Sequence, residues 1–570
     1  MRAFAGLAAA WGFHAIGGFY RDWRQPYGVG LAFVPVSELA FLAWYLLFGL
    51  VTLACFTRVA LATGLGDALA ARGRWLRAAA VRAALAVVLL AALVAARRWV
   101  VLAAPLTDDE MTYRFIAQTL LAGHVANPPP PAPFFFQNQF VACDDHGWYG
   151  KYPLGHPLAL ALGMRLGAED LVGPVITTLA VCLTWSVGRR CFSAREAALG
   201  CVLAGLSPQL TLTGATALSQ PLAMLCTLAG VLALYRFEEG GGTRWAQGAG
   251  LAFGAGVLVR PMPGVLFLAV GLAWLWRAAR RAPGGQPVAA LALAALPVAG
   301  CAAVMLAVNA LQTGSPLTTG YHVVHGGLGI LPERVEGATT AGIVAASVGG
   351  GFLRQSFWLF GCPLSVALVP LARRTPRAAL LWALIAAEYV YRVVVPKTVV
   401  STTGPIYLAE IVPLLALLTA SGLCGLRWAL RRHRLPAPRG LVPALVVAAV
   451  ATAALDWWPV HVREIRRAAA ATRVCAGMLE GLGVSRALVF ANQLTDLAAA
   501  ESWAVFAPNP SPALDDPVIY ARWPVEAPGR AAAIQLWRQR FADRPAYCFR
   551  WVEHRAVLKR VEQAADLELH

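Results

Sequence analysis

Lysine is almost missing from this chain. Of 48 basic residues three are lysine, Lys151, Lys397 and Lys559, so arginine is the default cation. Charge of either sign is scarce, at 14% of residues against 58% hydrophobic, which excludes an ordinary soluble protein. The eleven cysteines include no CxxC pair, so no zinc-type ligand spacing is present. No Asp-x-Asp motif marks a cytoplasmic α/β segment, which argues against a soluble nucleotide-sugar site. Internal repeats of the kind that build many transporters are also lacking.

What the chain has in quantity is apolar runs of membrane-crossing length. They fall near 31–57, 83–104, 172–188, 196–212, 216–235, 246–260, 262–276, 288–309, 352–371, 378–395, 405–423 and 441–456. The short glycine-rich stretch 3–20 is a candidate thirteenth; it lacks the charged start and cleavage site of a signal peptide. The expectation is an all-α polytopic membrane protein of about 12–13 transmembrane helices with a small C-terminal α/β extracytoplasmic domain.

Arginine sets the predicted orientation. Six alternate loops, among them those holding Arg72, Arg74 and Arg77, Arg189 and Arg190, and Arg431 and Arg432, carry 21 basic residues. The longer intervening loops and their edges carry seven. The first set is therefore predicted cytoplasmic and the second outward. The net charge of +18 then reports topology, and no nucleic-acid partner is implied. Arg97 and Arg98 fit this pattern poorly, near the outer end of the second span.

Three segments are expected: 1–82 as N-terminal membrane helices with a cytoplasmic loop, 83–456 as a transmembrane catalytic module with outer loops 105–171 and 310–351, and 457–570 as a C-terminal domain. The spacing of Met111, Phe115 and Leu120 predicts a helix over 107–122 lying along the membrane surface. The proline run 128–131 is stiff and extended, and Phe134, Phe135 and Phe136 suit an interfacial or lipid-chain contact. In the tail, strands are predicted at 487–490 and 518–521 and helices at 462–482 and 530–541. Cys475 and Cys548 could pair in an outer compartment.

Chemistry-bearing residues cluster in the first outer loop. Asp108-Asp109-Glu110 follow a span directly, and Lys151-Tyr152-Pro153-Leu154-Gly155-His156 return the chain to the membrane. Acidic residues there also suit a helix N-terminus, with Thr107 or Asp108 as the cap. Lys151 is a compact cation at the interface, suited to phosphate or to anchoring at lipid headgroups. Arg260 sits between two paired helices, where an intramembrane charge needs a partner. Glu388 and Arg392 share a helix face and would pair with each other or with Glu410. Lys397 is a second phosphate candidate. His322 and His325 lie in a glycine-rich loop, and Asp144-Asp145-His146 reads as a turn rather than a metal site.

Several of these residues fall into an ordered set of motifs: Asp109-Glu110-x-x-Tyr113, Gly123-x-x-x-Asn127-Pro128, Lys151-Tyr152-Pro153-x-Gly155, Leu258-Val259-Arg260-Pro261, Trp358 to Pro363, and Gly404-Pro405-Ile406-Tyr407-Leu408-Ala409-Glu410. The set resembles the GT-C superfamily of integral-membrane glycosyltransferases, which use polyprenyl-phosphate sugars and include protein O-mannosyltransferases and the lipid A aminoarabinose transferase. Ile406 stands where the resembling element carries arginine.

The resemblance covers roughly 83–423 and implies inverting sugar transfer from a polyprenyl-phosphate donor to a lipid, glycan or protein acceptor. By the matching motif, Asp109 is the leading proton acceptor, with Asp108 second and Glu110 orienting the loop, an acceptor or a cation. Lys151, Arg260 and Lys397 are the donor-phosphate candidates. Tyr113, Tyr152, His156, His322, His325, Tyr407 and Glu410 are the candidate lining residues. No cofactor is required by the motifs, and a divalent cation stays open because some members use one. The implied location is a bacterial cytoplasmic membrane, among its lipids, with the site and the C-terminal domain on the periplasmic side. A transporter or lipid-linked glycan flippase is the main alternative, a polysaccharide polymerase and a catalytically dead envelope-assembly scaffold the others.

Overall fold

The computed structural model describes residues 36–72, 78–136, 138, 140–282, 284–326, 341, 344, 346–395, 403–491, 509, 511–524, 527–552 and 555–568. The apolar stretch 3–20 and Lys397 lie outside them. Helix occupies each of the twelve predicted apolar stretches, because a run without polar side chains must satisfy its backbone internally. Among the described residues six helices are long and apolar enough to cross a membrane, and up to eight if each bent pair is one span. Of the remaining runs, the first lies in the 27-residue helix Val36–Ala62, and the others are shorter helices or are broken as at Ala194–Gly205 and Pro208–Gly214, which meet at a 56° bend.

Several elements position the site. The span α1 (Ala79–Ala95) ends in a π-turn, Ala96–Val100. Helix α2 (Asp108–Leu121) follows, and then the antiparallel hairpin β1 (Val141–Asp144) and β2 (Gly147–Gly150). Helix α3 (Gly155–Arg165) re-enters the bundle. The next elements that matter are α4 (Gln220–Glu238), α5 (Arg244–Val259) and α6 (Pro261–Arg281). Beyond them lie α7 (Pro287–Thr313), the short α8 (Gly320–His325), α9 (Ala378–Val394) and α10 (Val412–Arg432). The core runs along α4, α5 and α10, and α10 is buried from Val412 through Leu423. α7 is mostly exposed, with Leu296 67% open, as suits a helix facing lipid.

Arg97, which fits the charge pattern poorly, is buried, its Nε 2.9 Å from Asp170 Oδ1, and it donates to the carbonyls of Ala103 and Ala104. The π-turn and the positive φ of Leu102 and Ala103 let the chain fold back over that guanidinium. An unpaired charge there would cost far more than the turn.

α2 has the predicted bounds to within a residue, but not the predicted setting. Glu110 through Phe115 are buried except Arg114, as are Ile116, Ala117 and Thr119. The helix is packed on nearly all faces instead of floating at an interface.

The tail adds strands β3 (Ala487–Ala491) and β4 (Val518–Arg522), helix α11 (Ala527–Arg540), and strands β5 (Ala546–Val552) and β6 (Arg555–Val561). The sheet order is β4-β3-β5-β6; β3 runs parallel to β4 and β5, and β6 is antiparallel to β5. The predicted 462–482 helix is split into Trp458–Ala471 and Val474–Gly481. Cys475 and Cys548 are buried free thiols and do not pair with each other. The phenylalanine run also differs from expectation. Phe135 and Phe136 are buried against Phe490 and Phe541, with centroids 6.2 and 6.3 Å apart, so they join the loop to the sheet. Phe134 is 47% exposed, with the Arg522 guanidinium 5.0 Å from its ring centroid.

Candidate active site

The acidic triplet opens α2, where three carboxylates face the positive end of the helix dipole. Thr107 is the N-cap and its hydroxyl accepts the Glu110 N–H. The three acids then diverge. Glu110 is fully buried and accepts the Leu106 N–H at 2.9 Å and the Ala217 N–H at 2.8 Å. Both of its oxygens are spent on the backbone, so of the three orienting roles open to it the structure gives it the loop, which it clamps to the turn before α4. Burial pushes its carboxyl above the usual range, against the lowering effect of nearby Arg97. Asp108 and Asp109 stay partly open.

Tyr152 donates its hydroxyl to Asp109 Oδ1. Its ring lies 4.5 Å from that of Tyr113 and 5.5 Å from that of Tyr321. Burial and the Asp109 charge hold the phenols of Tyr152 and Tyr113 above their ordinary range, so both stay protonated donors at neutral pH. Tyr113 shares a 2.9 Å hydrogen bond with Ser219. It also sits within electrostatic reach of both Asp109 and Arg260, which places those two groups around one aromatic cluster.

Lys151 is nine-tenths buried or more. Its ammonium is 3.2 Å from the Phe140 ring centroid, 4.9 Å from that of Tyr152 and 5.5 Å from that of Tyr321. It donates to His325 Nε2 at 3.0 Å. Two glycines allow this approach. A Cβ on Gly320 would lie 2.6 Å from Lys151 Cα, and one on Gly155 would lie 2.7 Å from the Leu258 carbonyl. Gly155 thus seats α3 against the end of α5, next to Arg260.

Arg260 is the break between α5 and α6, with Pro261 opening the second helix. Its Nε lies 2.5 Å from Glu410 Oε1, and both side chains are largely buried. Arg392 pairs with Glu388 at 2.6 Å and donates to the Tyr407 carbonyl at 2.8 Å. The two guanidiniums flank one ring, 5.8 and 5.0 Å from the Tyr407 centroid. A small cavity of about 10 Å³ between α4, α5 and α6 is lined by Arg260 and Glu410 together with Thr227, Phe253, Gly256 and Phe267.

The structure therefore brings Asp109, Tyr113, Tyr152, Lys151 and His325 together, with Arg260, Glu410 and Tyr407 beside them. His156 packs instead of lining open space: its Nε2 donates to the Ala217 carbonyl at 2.7 Å, edge-on to Tyr113. Burial pulls its imidazole down to about 4. His322 is exposed on α8, away from these contacts. Asp144, Asp145 and His146 form the predicted turn, with Asp144 accepting from the His146 N–H and the Tyr149 hydroxyl. Among the described residues no three His, Cys, Asp or Glu side chains group closely enough to hold a metal ion. Phe140, Tyr321 and Ser219 also belong to the cluster, and no motif in the sequence marks them, the Tyr321-His322-Val323-Val324-His325 stretch standing out for its histidines alone.

The sequence profile of dolichyl-phosphate-mannose-protein mannosyltransferases matches residues 151–306, a segment that begins at Lys151 and contains Arg260. No curated protein matches the chain. Among solved structures, ArnT from Cupriavidus metallidurans bound to undecaprenyl phosphate is similar at 14% identity and TM-score 0.51, covering 83% of this chain and 97% of ArnT. The chain has the fold of a GT-C membrane glycosyltransferase. Profile and fold agree on the enzyme class, sugar transfer within a membrane. Arabinosyltransferase EmbB from Mycobacterium smegmatis matches at 15% identity and TM-score 0.39, over 82% of this chain and 45% of EmbB. An oligosaccharyltransferase from Archaeoglobus fulgidus matches at 10% and 0.38, over 74% and 63%.

Proposed function

We propose that this GT-C glycosyltransferase moves a sugar from a polyprenyl-phosphate donor to an acceptor hydroxyl, on the periplasmic face of a bacterial cytoplasmic membrane. Asp109 takes the hydroxyl proton. The acceptor oxygen attacks the anomeric carbon from the face opposite the phosphate, so the new bond has inverted configuration. The old carbon–oxygen electrons leave with the polyprenyl phosphate. Lys151 and Arg260 stabilise that departing anion, as charge developing in a water-poor site requires. The acceptor class stays as wide as lipid, glycan or protein.

One observation supports this reading above the rest: Tyr152 joins base and cation. Its hydroxyl bonds Asp109 while its ring lies 4.9 Å from the Lys151 ammonium. A proton acceptor and a phosphate-seeking charge are thus held a single side chain apart. ArnT, which shares the fold, is bound to undecaprenyl phosphate.

The test is transfer from a radiolabelled polyprenyl-phosphate sugar in proteoliposomes. Asp109→Asn is expected to abolish turnover, by at least ~100-fold, with donor binding within a few-fold of wild type. Near-normal turnover would remove Asp109 from the mechanism. A wild-type protein that moves the lipid across the bilayer without transferring its sugar would favour the flippase alternative.

A further inference from the structure

Arg260 has a resident counter-ion. Its Nε is 2.5 Å from the Glu410 carboxylate, whose side chain is 1% exposed. Paired in this way the two groups carry no net charge, and a neutral pair exerts little pull on an anion. A phosphate arriving at Arg260 therefore meets a carboxylate already in place.

We infer that Glu410 is the exchangeable stand-in for the donor phosphate: it holds Arg260 when the site is empty, yields it to the lipid phosphate, and reclaims it as product leaves. The inference rests on the reading of Arg260 as a donor-phosphate ligand. Three features of the site carry it. The pair lines a small cavity between α4, α5 and α6 whose other walls are mostly apolar, so water does little to screen the exchange of one anion for another. The carboxylate also has a second guanidinium within its own cluster. Arg260 and Arg392 lean on the same Tyr407 ring, and among the described residues Arg392 Nη1 and Glu410 Oε2 are buried with no hydrogen-bonding partner. Finally, exchange answers a chemical need. An arginine–phosphate pair in a dry site is strong, and an arginine with nothing to return to would retain the polyprenyl phosphate product.

The role predicts an effect opposite in sign to that of a merely structural pair. Removing the competitor tightens phosphate binding and slows release. Removing a structural support weakens binding. The probe is undecaprenyl phosphate, titrated against purified full-length protein in nanodiscs, together with steady-state and single-turnover transfer.

Glu410→Gln is expected to bind the probe at least tenfold more tightly. KM for the donor and kcat should fall together, with the single-turnover rate near wild type. In an R260A background the same substitution should leave affinity unchanged. Should Glu410→Gln fold poorly, Glu410→Asp keeps the charge but shortens its reach, and is expected to tighten binding to a smaller degree. Weaker or unchanged binding in a folded Glu410 variant, or a fall in kcat with KM constant, would overturn the exchange. If wild type binds and Arg260→Ala binds equally well, Arg260 is no ligand and the exchange falls while sugar transfer stands. If wild type does not bind undecaprenyl phosphate at all, the parent reading fails with it.

Discussion

The Glu110 carboxylate accepts the Ala217 N–H at 2.8 Å, bonding residues 107 apart in sequence. With Leu106 N–H on its other oxygen, it holds the start of α2, and so Asp109, against the turn that precedes α4. Glu110→Ala would leave two buried amides without acceptors, at a cost of about 2–5 kcal/mol. A fall of several degrees in Tm, with activity lost in proportion to folded protein, is the expected result. A fully stable but inactive Glu110→Ala protein would instead mean that the carboxylate takes part in chemistry.

Tyr152→Phe keeps the ring against Lys151 and removes the hydroxyl that holds Asp109. A hydrogen bond to a charged group is worth roughly 1.5–3 kcal/mol, so kcat is expected to drop about 10- to 100-fold as the base loses its orientation. Donor KM should move little. Equal kcat in the two proteins would show that Asp109 is positioned by something else.

Lys151→Ala removes an ammonium seated 3.2 Å from the Phe140 centroid. Donor KM is expected to rise at least ~10-fold, as for loss of a charge-assisted contact. Lys151→Arg should restore little, because a planar guanidinium does not fit a cage shaped round a compact ammonium. Kinetics at varied donor concentration decide this; full rescue by arginine would show that charge alone suffices.

The membrane core was legible because its signal is local: a run of apolar residues specifies a helix wherever it packs. The site was legible in part for the same reason, since Asp109, Lys151 and Tyr152 lie in short motifs on one loop. What escaped notice depends on distant partners. Nothing near Phe135 announces that it meets Phe490, and nothing near Arg260 announces Glu410. Strand β5 was missed although Tyr547, Phe549 and Trp551 give it β-forming character. The β1–β2 hairpin escaped because four-residue strands carry little periodicity. The two-faced burial of α2 follows from the sheet covering the loop, which no helix pattern encodes.

Gly155 stands where α3 touches the end of α5. A Cβ there would sit 2.7 Å from the Leu258 carbonyl carbon and oxygen and 2.8 Å from Val259 Cγ2. Backbone atoms cannot swing aside, so Gly155→Ala must push α3 away from Arg260. The expected cost is about 1–3 kcal/mol, together with a raised donor KM as Lys151 and Arg260 separate. Thermal unfolding and donor titration measure the two effects; a silent Gly155→Ala would show that the helices slide freely.

His156 gives the fold a pH dependence of definite sign. Burial lowers its imidazole to about 4 in the folded protein, against about 6.5 when unfolded. The unfolded chain therefore binds more protons between those values, so acid favours unfolding. The contribution is fully present above about pH 6.5 and declines as pH falls toward 4, by about 3 kcal/mol at most. His156→Gln can keep a donor toward the Ala217 carbonyl and cannot titrate. Wild type should therefore lose more Tm than His156→Gln between pH 7 and 5, whatever the other carboxylates contribute to both. Parallel pH profiles for the two proteins would show that the ring is hydrated and titrates like an exposed histidine.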